Sequence, residues 1–208
     1  MKYNVLIVDD QLLPRQYFES IINSSEAFNL VASISSAKVA DVYCIKNHID
    51  LIIMDIVMAD GSNGLEAAEN IKNMYPNIKI LIVTSMPDAN FLNIARKINV
   101  DSFWYKEIQE APMLDVMIRT MNGENVYPDT SPKVKLGIAY NNEFTSREID
   151  VLRAMTDGLS NPEIAEKLGM SVNTVKYHIN NLMSKTGIES RTKLAIEAAQ
   201  SGIVANKV

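Results

Sequence analysis

Through residues 1–122, short apolar runs alternate with amphipathic stretches. The runs lie at 4–8, 29–34, 51–54, 79–83 and 102–105. They are too short for helices and apolar without alternation, which predicts strands covered on both faces. Between them, apolar residues recur at helical spacing over 12–22, 38–46, 64–74 and 88–98, and a last helix is predicted over 109–121. Five strands alternating with five helices predict an α/β domain: a parallel sheet with helices on both faces.

The periodicity fades over 123–142, where Gly123, Pro128, Ser131, Pro132 and Gly137 interrupt the chain. This interval is read as a linker, partly packed through Val126 and Tyr127. Helical spacing resumes after Thr145-Ser146-Arg147-Glu148, a capping box followed by Ile149, Leu152 and Met155. Gly158 ends that helix, and Ser160-Asn161-Pro162-Glu163 opens the next. Gly169 closes the second helix, and Ser171 caps a third over 172–186. A short helix, a tight glycine turn and a longer helix predict a small all-α helix-turn-helix domain at 143–208. On the third helix, Val172, Val175, Ile179 and Leu182 share an inward stripe. Asn173, Lys176, Tyr177, Asn180 and Ser184 share the opposite one, whose polar groups can address base edges and phosphates.

Composition narrows the function classes. The chain has 208 residues, 47% hydrophobic and 22% charged, an ordinary globular balance. No segment approaches the ~20 apolar residues of a membrane span. The opening run ends in two aspartates, unlike a secretory signal. The single cysteine, Cys44, excludes an internal disulfide and fits a reducing, cytoplasmic setting. With two histidines beside it, the chain offers no zinc set, and Cys44 and His48 are read as structural. Charge is uneven: residues 1–122 carry a net −5, whereas 171–208 carry +3. Two domains with different partners are expected, nucleic acid being the natural one for the basic end.

Right-handed crossovers leave the flavodoxin-like order 2-1-3-4-5 as the favoured topology. That order makes the first and third strands neighbours, so Asp9, Asp10 and Asp55 converge at the carboxyl edge of the sheet. The fourth run ends in Thr84 and the fifth in Lys106, both opening onto the same edge. A lone aspartate there would be read as a turn cap. Three carboxylates, a hydroxyl and an ammonium together form a far more specific set. Clustered carboxylates repel one another, and a hard dication such as Mg2+ is the expected guest. Asp9-Asp10-Gln11 is no glycine-rich phosphate loop, which argues against nucleotide binding.

On these residues the segment 2–122 resembles the receiver domain of two-component response regulators. The resemblance implies that Asp55 is the phosphoacceptor for a sensor histidine kinase. It implies Mg2+ held by Asp9, Asp10, Asp55 and the Val57 backbone carbonyl, with Asp10 the favoured direct ligand. Lys106 and Thr84 match the family's catalytic lysine and hydroxyl. Thr84 and Phe103 match its switch pair, in which Phe103 turns inward after phosphorylation. The sequence departs from the family in three places. Ala59 follows Met58 where proline is common, the interval from Asp55 to Gly64 is one residue longer than usual, and Glu107 follows the lysine in place of proline.

The phrases Phe144-Thr145-Ser146-Arg147-Glu148, Gly158-Leu159-Ser160-Asn161 and Ser171 to His178 resemble the LuxR-type DNA-binding domain of the NarL/FixJ subfamily. This implies double-stranded DNA as partner, with contacts from Asn173, Thr174, Lys176, Tyr177 and Asn180. At Asn180 the family often has a basic residue. It also implies a homodimer, at least when phosphorylated, formed through the helix predicted at 192–202. The expected domains are thus a receiver at 1–122, a linker at 123–142 and the helix-turn-helix domain at 143–208. The expected function is a transcription regulator and not a turnover enzyme. One alternative is a metal-dependent phosphatase with an aspartyl nucleophile, against which stand the adjacent Asp9-Asp10 and the attached helix-turn-helix. Another is a regulator that binds DNA whether or not it is phosphorylated.

Overall fold

The computed structural model describes residues 2–106 and 112–204. Five strands form its first sheet: β1 (Tyr3–Val8), β2 (Phe28–Ile34), β3 (Leu51–Asp55), β4 (Lys79–Thr84) and β5 (Ser102–Tyr105). All pair in parallel, in the order β2-β1-β3-β4-β5. Alternate residues feed two cores. Leu6, Val8, Ile52, Met54, Ile80, Ile82 and Phe103 face one side, and Val5, Ile7, Leu51, Ile53, Leu81, Val83 and Trp104 face the other. Strands buried on both faces therefore show no polar alternation. Each such side chain stabilises the sheet by about 1.5–3 kcal/mol.

Helices cover both faces. They are α1 (Leu12–Ser24), α2 (Ala40–Lys46), α3 (Gly64–Met74), α4 (Ala89–Lys97) and α5 (Met113–Met121). Phe18 and Ile22 of α1 join Val116 and Met117 of α5 on one face, and Leu65, Ala68 and Ile71 of α3 pack on the other. The predicted 38–46 helix divides, because Ser36 caps a separate 3-10 turn, Ala37–Val39, ahead of α2. Of the helix predicted at 109–121, residues 109–111 lie outside the described residues.

The start of α3 fixes the loop after β3. Asn63 accepts from the Leu65 and Glu66 amides at 2.8 and 3.4 Å, capping the helix. Gly64 then passes so close to β3 that a Cβ on it would meet the Asp55 carbonyl oxygen at 1.8 Å.

The chain divides into two compact units between Thr130 and Ser131, with the short segment Met86–Asn90 grouped with the second. The interval 123–142 is shared between the two units. Its first part packs on the receiver-like unit: Val126 donates to the Ser102 hydroxyl at 3.1 Å, and Tyr127 donates to the Val100 carbonyl at 2.7 Å. Its second part contains a hairpin, β6 (Lys135–Leu136) and β7 (Ala139–Tyr140), whose Leu136 and Ala139 are buried in the second core. Two-residue strands carry no periodicity to read.

The second unit is helical beyond that hairpin: α6 (Ser146–Thr156), α7 (Asn161–Leu168), α8 (Val172–Thr186) and α9 (Arg191–Ser201). Both capping boxes form, Thr145 with Glu148 and Ser160 with Glu163. Gly169, in the left-handed region at φ 63°, ends α7 and lets Ser171 cap α8. Val175, Ile179 and Leu182 anchor α8 in the core, whereas Val172, placed inward by spacing, is 36% exposed in the first turn. Glu148 is buried and receives the Lys185 ammonium at 2.7 Å. Burial alone would raise its pKa, but the bonds from Lys185 and Thr145 outweigh that and hold the carboxyl below its ordinary range.

Two outcomes are expected. Gly64→Ala should destabilise the protein by about 2 kcal/mol or more, because the clash is with backbone. Gly61→Ala meets no atom and carries only the cost of a positive φ, about 1 kcal/mol. Equal urea midpoints for the two variants would contradict this. Glu148→Gln keeps the cap and loses the charge, at about 1–3 kcal/mol near neutral pH. A depressed carboxyl stabilises above its unfolded pKa and loses that contribution as pH falls through the folded value. The gap between the Gln variant and wild type should therefore close in acid, as read by urea melts at stepped pH.

Candidate functional site

The register of the sheet builds the site. Val8 lies opposite Met54, and Asp55 opposite Val83, so Asp9 and Asp55 emerge side by side at the carboxyl edge with Thr84 one strand further on. Lys106 follows β5, and its amide donates to the Thr84 carbonyl at 2.9 Å. Its ammonium reaches Asp9 at 2.7 Å and Asp55 at 3.2 Å. Asp9, Asp55 and Thr84 are all buried, at 0%, 4% and 1% exposure. The predicted set thus comes together in one place.

Each carboxylate is held differently. Asp9 accepts from the Gln11 amide at 2.9 Å, while Arg15 donates to its backbone carbonyl at 2.6 Å. Asp55 accepts from the Ile56 amide at 2.8 Å through Oδ1 and presents Oδ2 to Lys106. Asp10 gives Oδ2 to the Ala59 amide at 2.7 Å, and its Oδ1 is buried with no hydrogen-bond partner. Burial pushes the Asp55 carboxyl up to about 7, Lys106 pulling against the rise and Asp9 adding to it. Burial would lower Lys106, but Asp55 and Asp9 prevail and its pKa is raised. A positive charge brought among the carboxylates would favour their ionised forms.

Asp9, Asp10 and Asp55 each offer an oxygen, and these lie within 4.8 Å of one another. Three carboxylates so placed, with Asp10 Oδ1 buried and without a partner, fit a hard, oxygen-seeking dication. Val57 sits in the adjoining loop, bridged to Asn63. Sequence reasoning missed the groups that orient the carboxylates: the amides of Ala59 and Gln11, and Arg15. Backbone amides leave no residue-type signal, and Arg15 reads as any surface cation.

Phe103, on β5, is buried at 1% exposure, with its ring 5.0 Å from Tyr105 and 6.3 Å from Tyr127. Cys44 is buried and its thiol is pushed up to about 11 by burial and Asp41.

On α8, Asn173, Thr174, Lys176, Tyr177 and Asn180 are exposed, Tyr177 to 62%. Thr174 is engaged at the cap, its hydroxyl 2.8 Å from that of Ser171. His178 is half-buried and packs edge-on against Tyr177. Lys185, also on α8, is spent on Glu148 and the Glu143 carbonyl. Among the described residues no helix is long and apolar enough to cross a membrane.

Comparison with known proteins agrees with both halves. The family model for the response regulator receiver domain matches residues 5–124, and that for bacterial regulatory proteins of the luxR family matches 142–198. Response regulator protein VraR of Staphylococcus epidermidis is 31% identical over 209 residues, spanning 98% of this chain and 100% of its own. VraR of Staphylococcus aureus is likewise 31% identical over the same extent. Among solved structures, response regulator ChrA of a heme-sensing two-component system aligns with a TM-score of 0.52 and 25% identity, over 98% of this chain and 99% of that one. RcsB dimers bound to DNA align at 0.63 and 20% identity, over 96% and 98%, a likeness of fold.

Proposed function

The chain belongs to the two-component response regulators of the NarL/FixJ type, a receiver domain joined to a LuxR-type DNA-binding domain, and on that premise we propose that Mg2+-dependent phosphorylation of Asp55 controls its dimerisation and its sequence-specific binding of DNA. The observation that carries this reading is the convergence of Asp55 with Asp9, Asp10 and Lys106 at one sheet edge.

The phosphodonor is the phosphohistidine of a sensor kinase. A carboxylate oxygen of Asp55 attacks phosphorus, the P–N bond breaks, and the imidazole nitrogen leaves with the electron pair. Asp9, Asp10, Asp55 and the Val57 carbonyl would hold Mg2+, which would offset the charge on the phosphoryl oxygens. Lys106, already poised on Asp55 and Asp9, supplies a second positive charge to the incoming group. The Thr84 hydroxyl donates to a phosphoryl oxygen, and Phe103 lies one strand away as its partner in the switch. The acyl phosphate forms on the protein itself, so the chain is a regulator and no turnover enzyme.

In the second domain α8 enters the major groove. Asn173, Lys176, Tyr177 and Asn180 address bases and phosphates, with Thr174 at the helix start. Two copies pair through α9 and read half-sites as an inverted repeat in the cytoplasm.

Incubation with acetyl phosphate and Mg2+ should add one hydroxylamine-labile phosphoryl group. Asp55→Asn should abolish it, and Asp10→Ala should lose most of the rate together with the Mg2+ requirement; undiminished labelling of Asp55→Asn refutes the acceptor. For DNA, Lys176→Ala should cost about 1–3 kcal/mol on a specific duplex if Lys176 meets a guanine edge. If it meets phosphate alone, the loss should be similar on a scrambled duplex and the salt slope should fall by about one. Wild-type affinity for both duplexes at every salt concentration would remove α8 from the recognition role.

A further inference from the structure

The loop between β3 and α3, which carries Val57 and Ala59, is cross-linked to the neighbouring loop by one residue, Asp60. Its Oδ2 accepts from the Ser36 hydroxyl at 2.6 Å, just before the 3-10 turn at Ala37–Val39. Its Oδ1 accepts from the Ser62 amide at 2.9 Å and the Ser62 hydroxyl at 2.6 Å. The link is doubled, because the Ala37 amide donates to the Ser62 hydroxyl at 3.2 Å and Lys38 donates to the Asp60 carbonyl at 2.9 Å. The loop itself closes as a turn, Gly61 donating to the Met58 carbonyl at 3.0 Å with Gly61 at φ 76°. That turn takes up the longer interval between Asp55 and Gly64. It also leaves Ala59, next to Asp60, with its amide on Asp10 Oδ2 at 2.7 Å.

The consequence reaches the carboxylate cluster. With Oδ2 tied to Ala59, Asp10 keeps a buried, partnerless Oδ1, and its carboxylate is one of the three-carboxylate set. We propose that Asp60 is a positioning residue for the cation site: it latches the β3–α3 loop to Ser36, so that the Ala59 amide holds Asp10 in the orientation a Mg2+ ion needs. This deepens the reading of Asp9, Asp10 and Asp55 as the Mg2+ site and rests on it. Losing a partner that orients a ligand from outside the coordination sphere commonly costs about 10–100-fold in metal affinity or activity. The work is done by hydrogen bonds and not by the ion pair with Lys38. That pair is 3.5 Å apart with Lys38 61% exposed, and solvent-exposed pairs contribute little. An asparagine at position 60 could accept from Ser62 and donate to the Ser36 hydroxyl, keeping the latch without the charge.

The test is calorimetric titration of Mg2+ into the full-length protein, paired with labelling by acetyl phosphate at saturating Mg2+. Asp60→Ala should weaken Mg2+ binding about 10-fold, while its labelling rate at saturating Mg2+ stays within about twofold of wild type. Asp60→Asn should restore wild-type affinity. Ser36→Ala, which cuts only the cross-link, should weaken binding about threefold and serves if Asp60→Ala does not fold. Wild-type affinity in Asp60→Ala or Ser36→Ala overturns the latch. Binding by Asp60→Asn as weak as by Asp60→Ala also overturns it, since Asp60 would then act by its charge. No Mg2+ binding by the wild-type protein refutes the cation site and the latch together, whereas binding that is indifferent to position 60 refutes the latch alone.

Discussion

Taking Asp9, Asp55 and Lys106 out of water at one sheet edge is costly, and the receiver is arranged so that each of these charges keeps a partner. Lys106 lies between the two carboxylates, and every side chain of the trio is 10% exposed or less. Breaking such a buried pair typically costs about 3–5 kcal/mol, because the remaining charge is stranded. Two carboxylates against one ammonium leave a residual negative charge, and Asp10 adds another. The arrangement is thus incomplete as a set of protein groups. A positive charge brought among these carboxylates would offset that excess. A site of this kind needs its geometry fixed by something stiffer than its own electrostatics, and the parallel register of β1, β3 and β4 provides it.

The second domain depends on a different economy. The polar face of α8 stays exposed, so the helix is held by one narrow stripe, Val175, Ile179 and Leu182. Capping at both ends compensates for that narrowness. Ser171 satisfies an amide at its start, and left-handed Gly187 follows its end. Lys185 extends the anchorage by tying the last turn of α8 to the first turn of α6 through Glu148. The cation nearest the end of α8 is therefore structural, and Lys176 carries the exposed positive charge of that helix.

Much of this was legible in the sequence, and the reasons are physical. Strands buried on both faces must be continuously apolar, so 51–54 announced itself, and the Asp55 that ends the run marked the sheet edge. Capping boxes need Ser or Thr three residues before Glu, so Thr145 and Ser160 placed the starts of α6 and α7. What could not be read falls into two groups. Features made by the backbone, such as the Ala59 amide on Asp10 or the β6–β7 hairpin, depend on where the chain returns in space. Features of packing, such as the exposure of Val172, depend on how far the neighbouring helices extend. Gly64 belongs between the two: a helix-opening glycine is visible, but its necessity lies in a carbonyl nine positions earlier in the chain.

The same distinction bears on how change at the acceptor can spread. Phe103 is buried at 1% exposure, and interiors packed at crystal-like density shift between discrete arrangements and do not deform smoothly. Its amide donates to the Val126 carbonyl at 2.8 Å, and its ring stacks on Tyr127. Tyr127 is in turn fixed by its hydroxyl on the Val100 carbonyl and by the Arg96 guanidinium, 5.1 Å from the ring centre. Any displacement of β5 large enough to move Phe103 must therefore strain or break the contacts that hold Val126 and Tyr127. Those two residues stand only a few positions before the first unit ends at Thr130. In this receiver the aromatic ring and the chain that leaves the domain are packed on one another through Val126 and Tyr127.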